Sequence, residues 1–246
     1  LLINLFSDGL SAEALINAVF FIIVFLITIT VHECAHGYIA YRMGDPTAKM
    51  MGRLTLNPVK HMDIVGTLMI LFIGFGWAKP VPIDTRYFKN PKAGMALSAL
   101  AGPVSNLLMA MLGVIIYRTI YTSVFSTGGA NPALYNANPA LYFSIVVSAW
   151  SFFNLFAMLN IYFAVFNLLP IPPLDGSRIV TYFLPPHLAH RYNYIERYGF
   201  IILILLLNLG RINRNLSFIW ILQTISGWIL SVINFILNPV FALFGG

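Results

Sequence analysis

Residues 14–36 read ALINAVFFIIVFLITITVHECAH. From Ala14 to Val31 the run is apolar and uncharged, and it leads without a break into His32, Glu33 and His36. A stretch of about 20 apolar residues is long enough to cross a bilayer as a helix. The pattern stays helical through Tyr41 and Met43, where Gly44 followed by Asp45-Pro46 stops it. One helix therefore carries a membrane span and, at one end, a set of polar groups at or just below the interface.

The rest of the chain has the same character. Of its 246 residues, 59% are hydrophobic and 9% charged, against about 25% charged in an ordinary soluble domain. The mean hydropathy is +0.82. A soluble fold of this length would have no surface left for water, so the composition places the chain in a lipid bilayer. The net charge of +6 does not point to nucleic acid. The basic residues are scattered through connectors, where they hold loops on the cytoplasmic side. The single cysteine, Cys34, cannot form an internal disulfide. The N-terminal region does not read as a cleaved signal: it carries Asp8 and Glu13 and lacks a basic leader.

After the first helix comes a connector with Arg42, Lys49, Arg53 and Lys60. The apolar run Val65 to Ala78 is short for a span, contains Gly66, Gly74 and Gly76, and ends in Lys79-Pro80-Val81-Pro82. A second basic connector follows, with Arg86, Lys89 and Lys92. Two successive basic connectors belong on one side. The segment near residues 66–82 is thus expected to enter and leave by one face, as a re-entrant β-hairpin-like element lining a cavity. Gly94 to Tyr117 and Leu141 to Phe166 are long enough to cross, with a turn-forming loop from Thr127 to Pro139 between them. Tyr198 to Gly210 is short, and Leu216 to Phe244 reads as one helix or two pieces. Arg211 and Arg214 between them conflict with a strictly alternating topology. The expected fold is an all-α polytopic membrane protein of about five to six transmembrane helices, with residues 1–246 as one domain.

Positions i and i+4 of a helix share a face, so His32 and His36 can reach one metal ion. Glu33 lies about 100° round the helix, where it can touch a metal-bound water without being a ligand. In zinc peptidases the metal lowers the pKa of that water to about 7 and a glutamate takes its proton. An ionisable group after a long apolar run is itself a functional signal. The bland alternative is two interfacial histidines satisfied by backbone or headgroups, with Glu33 snorkelling. Catalytic zinc has three protein ligands and one open position. Among the other acidic residues, only Asp175 follows a deep apolar stretch, within the proline-broken segment Asn167-Leu-Leu-Pro170-Ile-Pro-Pro173-Leu-Asp175. Helix capping by Asp175 would leave the proline-rich break unexplained, so ligation is favoured.

The HExxH of residues 32–36, with Asn167-x-x-Pro170-x-x-x-Leu174-Asp175-Gly176, resembles the site-2 protease family of intramembrane metalloproteases. Further pieces match its minimal bacterial and archaeal members: Gly52-Arg-Leu-Thr-Leu-Asn57-Pro58-x-x-His61-x-Asp63, Trp77-Ala-Lys79-Pro80-Val-Pro82 and Ala101-Gly102-Pro103-x-x-Asn106. Ile64 stands where many relatives have proline. The resemblance implies one Zn2+ per chain on His32, His36 and Asp175, with Glu33 as the catalytic base. It implies transmembrane protein substrates and a prokaryotic cell membrane, with the site opening toward the cytoplasm. No regulatory PDZ or CBS module is expected. A homo-oligomer or a regulatory membrane partner is left open.

Asn106 and Asn167 are candidates for substrate binding or oxyanion stabilisation, with interhelical hydrogen bonding as the equal alternative. Cys34 is read as packing, His61 as a structural hydrogen bonder, and His187 and His190 as interfacial. The stretch Gly74 to Pro82 is expected to offer a strand edge on which an unwound substrate pairs. The competing functions are an intramembrane metal-binding transporter and an inactive scaffold. Polar residues gathered near one face disfavour the first, and the intact HExxH and aspartate disfavour the second.

Overall fold

The computed structural model describes residues 11–73, 76–126, 132–212 and 218–243. Among these described residues the architecture is all-helical, and four helices are long and apolar enough to cross a membrane. They are α1 (Ala12–Arg42), α3 (Pro91–Tyr121), α4 (Pro139–Leu168) and α8 (Phe218–Leu243). Between them lie α2 (Ile64–Ile73), α5 (Asp175–Phe183), α6 (Pro186–Tyr194) and α7 (Gly199–Ile212). The last apolar run is one continuous helix.

Local chemistry starts the long helices. Ser11, Asn90 and Asn138 each cap a helix by accepting a backbone N–H from its first turn. Pro91 and Pro139 then occupy the first helical position, where no amide hydrogen is missed. Gly44, at φ 112°, ends the run after α1 in a conformation that glycine adopts without strain.

The outward faces carry Leu15, Ile22, Leu108, Leu112, Phe143, Val147 and Trp228, all exposed. Such a surface is stable against lipid rather than water. Inward, α3 packs between α1 and α4 on small residues: Ala99, Gly102, Ala110, Gly113, Ala157 and Ala164 are all buried. Lipid is as apolar as the side chains, so close backbone approach rather than hydrophobic burial drives this packing. Ala110, Val114, Ala157, Ile161, Ile233, Leu237 and Phe241 form the core that joins α3, α4 and α8.

The segment after α1 differs from a β-hairpin. Its outgoing arm is the helix α2, which Asp63 starts by accepting the Gly66 N–H at 2.8 Å. From Ile64 to Ile73 nothing interrupts helical hydrogen bonding, since the prolines come only at Pro80 and Pro82. Gly74 and Phe75 lie outside the described residues. The chain does come back to its starting point: Met62 and Ala78 form an isolated antiparallel bridge. Gly66 lies so close to the Trp77 carbonyl that no side chain fits between them.

Beyond the bridge, residues 78–84 form an extended strap. The Lys79 N–H donates to the His61 carbonyl (3.0 Å), and Arg53 Nη2 donates to the Lys79 carbonyl (2.7 Å). The Asp84 N–H reaches the fully buried carboxylate of Asp45 at 2.7 Å. At the exposed end, hydrogen bonds from Arg86 hold the Asp84 carboxyl below the usual carboxylate range.

Candidate metal centre

His32 and His36 stand on the same face of α1, one turn apart, and both are buried. Opposite them α5 begins at Asp175. Gly176 lets the α5 start press against the carbonyls that end α4, where a side chain would clash. His32 Nε2 and His36 Nε2 are 2.9 Å apart, and each lies close to Asp175 Oδ2, at 3.1 and 3.2 Å.

The protonation of this triangle follows from what lies behind it. His32 Nδ1 is 2.6 Å from Asn106 Oδ1, and His36 Nδ1 is 2.7 Å from the Ser98 carbonyl. Both of those partners are acceptors, so in each ring Nδ1 donates and Nε2 is the atom turned toward Asp175. Asp175 Oδ2 is buried and receives no hydrogen bond. Three candidate donor atoms thus face one another at about 3 Å, a spacing that one shared cation would hold together. Zinc–nitrogen bonds of about 2.0–2.1 Å in a tetrahedron separate ligand atoms by about 3.3 Å. The donor set of two imidazoles and one carboxylate is a zinc set, and the group of His32, His36 and Asp175 fits that ion.

Glu33, also buried, does not join the triangle. Its Oε2 accepts the Val81 N–H from the strap at 2.8 Å. Asn106 is fully buried behind His32, with its Oδ1 on that ring and its Nδ2 on Asn160 Oδ1 at 2.9 Å. That places it on the Nδ1 side of His32, away from the Nε2 that faces Asp175. Asn167, in the last turn of α4, is half-buried and donates to the Phe163 carbonyl at 3.0 Å. His61 is fully buried in the connector, bonded through Nε2 to the Thr55 carbonyl at 2.8 Å. Cys34 is half-buried and apart from the three donors, and His187 and His190 are exposed on α6.

Sequence reasoning missed Asn160, the Ser98 carbonyl and the Val81 N–H. An asparagine inside the apolar run Leu141–Phe166 is a readable signal. Backbone groups carry none. The strap also narrows the expected pairing edge. The N–H groups of Lys79, Val81 and Asp84 are already donated, and Pro80 and Pro82 have none.

The model of the family described as Peptidase family M50 matches residues 20–207. This chain belongs to peptidase family M50. The matched M50 region contains His32, Glu33, His36 and Asp175, and it bears out the reading of a site-2 protease type. Among M50-like relatives, Putative zinc metalloprotease YwhC of Bacillus subtilis is 41% identical over 193 residues, 76% of this chain and 79% of its own. Putative zinc metalloprotease Rip2 of Mycolicibacterium smegmatis is 29% identical over 195 residues, 77% of this chain and 66% of its own. A zinc metalloprotease of Methanocaldococcus jannaschii is 22% identical over 179 residues, 73% of this chain but 37% of its own length. No solved structure matches the chain at a significant level.

Proposed function

We propose that this M50 chain is a zinc-dependent endopeptidase that cuts membrane-protein substrates in or near their transmembrane segments. The observation that carries the proposal is the triangle of His32 Nε2, His36 Nε2 and Asp175 Oδ2 with Glu33 beside it, three of these four residues on a helix fit to span a membrane. Zinc held by these three residues supplies Lewis-acid activation of a water and of the scissile carbonyl. Glu33 takes the proton of the attacking water and returns it to the leaving amine. The Val81 N–H fixes Oε2 of Glu33, which leaves Oε1 for the proton. Asn167, in the last turn of α4, is the remaining candidate for holding the substrate carbonyl. The substrate is a transmembrane helix that unwinds locally, because an intact helix hides its peptide bonds in i-to-i−4 hydrogen bonds. The site opens toward the basic, cytoplasmic side of a prokaryotic membrane.

The test is zinc per chain in detergent-purified wild type, Glu33→Gln, His36→Ala and Asp175→Ala. Wild type and Glu33→Gln are expected to hold about one zinc, while the other two lose it. Glu33→Gln is also expected to abolish cleavage of a membrane-protein substrate. Loss of zinc in Glu33→Gln, or full retention in Asp175→Ala, would overturn the ligand set.

A further inference from the structure

Behind His32 runs a chain of side-chain amides that joins three helices. Asn160 on α4 donates from Nδ2 to its own helix at the Phe156 carbonyl (2.8 Å) and to Thr28 Oγ1 on α1 (3.0 Å). Since its Nδ2 faces those two acceptors, its Oδ1 faces Asn106 on α3 and takes the Asn106 Nδ2 hydrogen at 2.9 Å. The second Nδ2 hydrogen of Asn106 points toward the Thr28 carbonyl at 3.4 Å. The Oδ1 of Asn106 is then left for the His32 Nδ1–H at 2.6 Å. Thr28, Asn106 and Asn160 are fully buried, and all their side-chain polar atoms are engaged in this chain.

Each amide could in principle be flipped, presenting nitrogen where oxygen now stands. The direction of this chain is set at its far end, where Phe156 offers only a carbonyl. A flipped Asn160 would set oxygen against that carbonyl and nitrogen against the Asn106 nitrogen. A flipped Asn106 would set a donor against the His32 Nδ1–H.

We propose that Asn160 and Thr28 are positioning residues that act through Asn106 to hold the His32 ring with Nε2, not Nδ1, as its metal-binding atom. The inference rests on the zinc-hydrolase reading above. Partners of this kind behind a metal-binding histidine change metal affinity by about 10–100-fold. The chain also departs from the usual form of such partners, because it ends on a main-chain carbonyl of a neighbouring helix and contains no charge. The position of α4 is thereby coupled to the orientation of a donor on α1.

The experiment measures zinc affinity by chelator competition on the full chain in detergent. It compares wild type, Asn106→Leu, Asn160→Leu, Asn106→Asp and Thr28→Val, with cobalt absorption spectra as a second readout. Leucine keeps the volume and removes the hydrogen bonds; aspartate keeps the acceptor for His32. Zinc binding is expected to weaken by about tenfold or more in Asn106→Leu and by several-fold in Asn160→Leu. Asn106→Asp is expected to stay within a few-fold of wild type, an order no packing role would produce. A cobalt spectrum shifted in the same way in Asn106→Leu and Asn160→Leu supports the relay further. Wild-type zinc affinity in folded Asn106→Leu and Asn160→Leu overturns it.

Should the leucine variants fail to fold, nitrogen NMR of ring-labelled histidine in the wild-type zinc protein decides. A protonated Nδ1 and a metal-bound Nε2 on His32 uphold the relay, and the reverse overturns it. The controls keep the two readings apart. If wild type binds no zinc, or His36→Ala binds as much, the zinc-hydrolase reading fails and takes the relay with it. If the controls behave and the asparagine variants are neutral, the relay fails alone.

Discussion

A Cβ on Gly102 would stand 2.5 Å from Nε2 of His36 and from Cε1 of both imidazoles. No real Cβ is found that close to a ring atom, and neither the rings nor the helix has room to yield. The rings are pinned by Asn106 and the Ser98 carbonyl, and α3 is pinned between α1 and α4. Gly102→Ala is therefore expected to displace a donor while leaving the helices assembled. Zinc affinity should fall by about tenfold or more with the helical content of the protein unchanged; unaltered zinc binding would show that the rings are free to move. The two histidines of the proposed metal site were legible in the sequence because His32 and His36 lie four residues apart on one helix, where spacing dictates geometry. Asn160 was not, because its partners Asn106 and Thr28 are distant in sequence and meet it only once three helices have packed. The role of Gly102 was equally hidden, since what it must avoid belongs to another helix.

At the scale of elements, the strap from Ala78 to Asp84 holds the Glu33 carboxylate that the proposed mechanism uses. It is fastened at Met62, His61, Arg53 and Asp45, and Val81 also packs against Gly37 of α1, where any Cβ would meet its side chain at 2.9 Å. Arg53 is buried and gives Nη2 to the Lys79 carbonyl two residues before Val81. Arg53→Ala should cost about 1–3 kcal/mol of stability, as expected when a buried hydrogen bond is broken. It should lower kcat more than KM, with zinc content unchanged, because what loosens is the hold on Glu33 rather than on the metal. Arg53→Lys should recover part of the loss, since a single donor to the carbonyl suffices. Equal damage from alanine and lysine, or loss of zinc, would count against the strap. Glycines and basic flanks revealed that this region turns back on itself. They did not reveal that the outgoing arm is helical, because a short apolar run reads equally well as helix or strand. Its capping residue, Asp63, was in view but was assigned only to a motif.

For the whole molecule, the direction of α8 settles how the basic residues distribute. Leu107 and Met111 of α3 line a cavity with Ile225, Trp228 and Val232 of α8. Farther along α3, Arg118 donates to Asn238 Oδ1 at 2.9 Å and stacks on the Phe241 ring. Position along α8 rises with position along α3, so the two helices run parallel. Helix α3 starts on the side of the metal centre, where Lys92 reaches the Leu184 carbonyl; α8 therefore starts toward that side too. The chain leaves α4 on the same side and is back on it by Phe218, so no net crossing is made between those two points. At 14 residues, α7 is about 21 Å long, short of the roughly 30 Å hydrocarbon thickness. Arg214, one of the two arginines that conflict with a strictly alternating topology in the sequence, lies outside the described residues; among those described, Arg118 stands at the far end of α3, opposite the basic connectors. Single cysteines placed in a Cys34→Ser background test this with an impermeant thiol reagent on sealed, oriented vesicles. Lys49→Cys, Lys92→Cys and Arg191→Cys should label from one face, Asn136→Cys and Ala242→Cys from the other. Labelling of Ala242→Cys together with Lys92→Cys would mean that α7 crosses, α8 runs antiparallel to α3, and the Arg118–Asn238 pair does not form in the membrane.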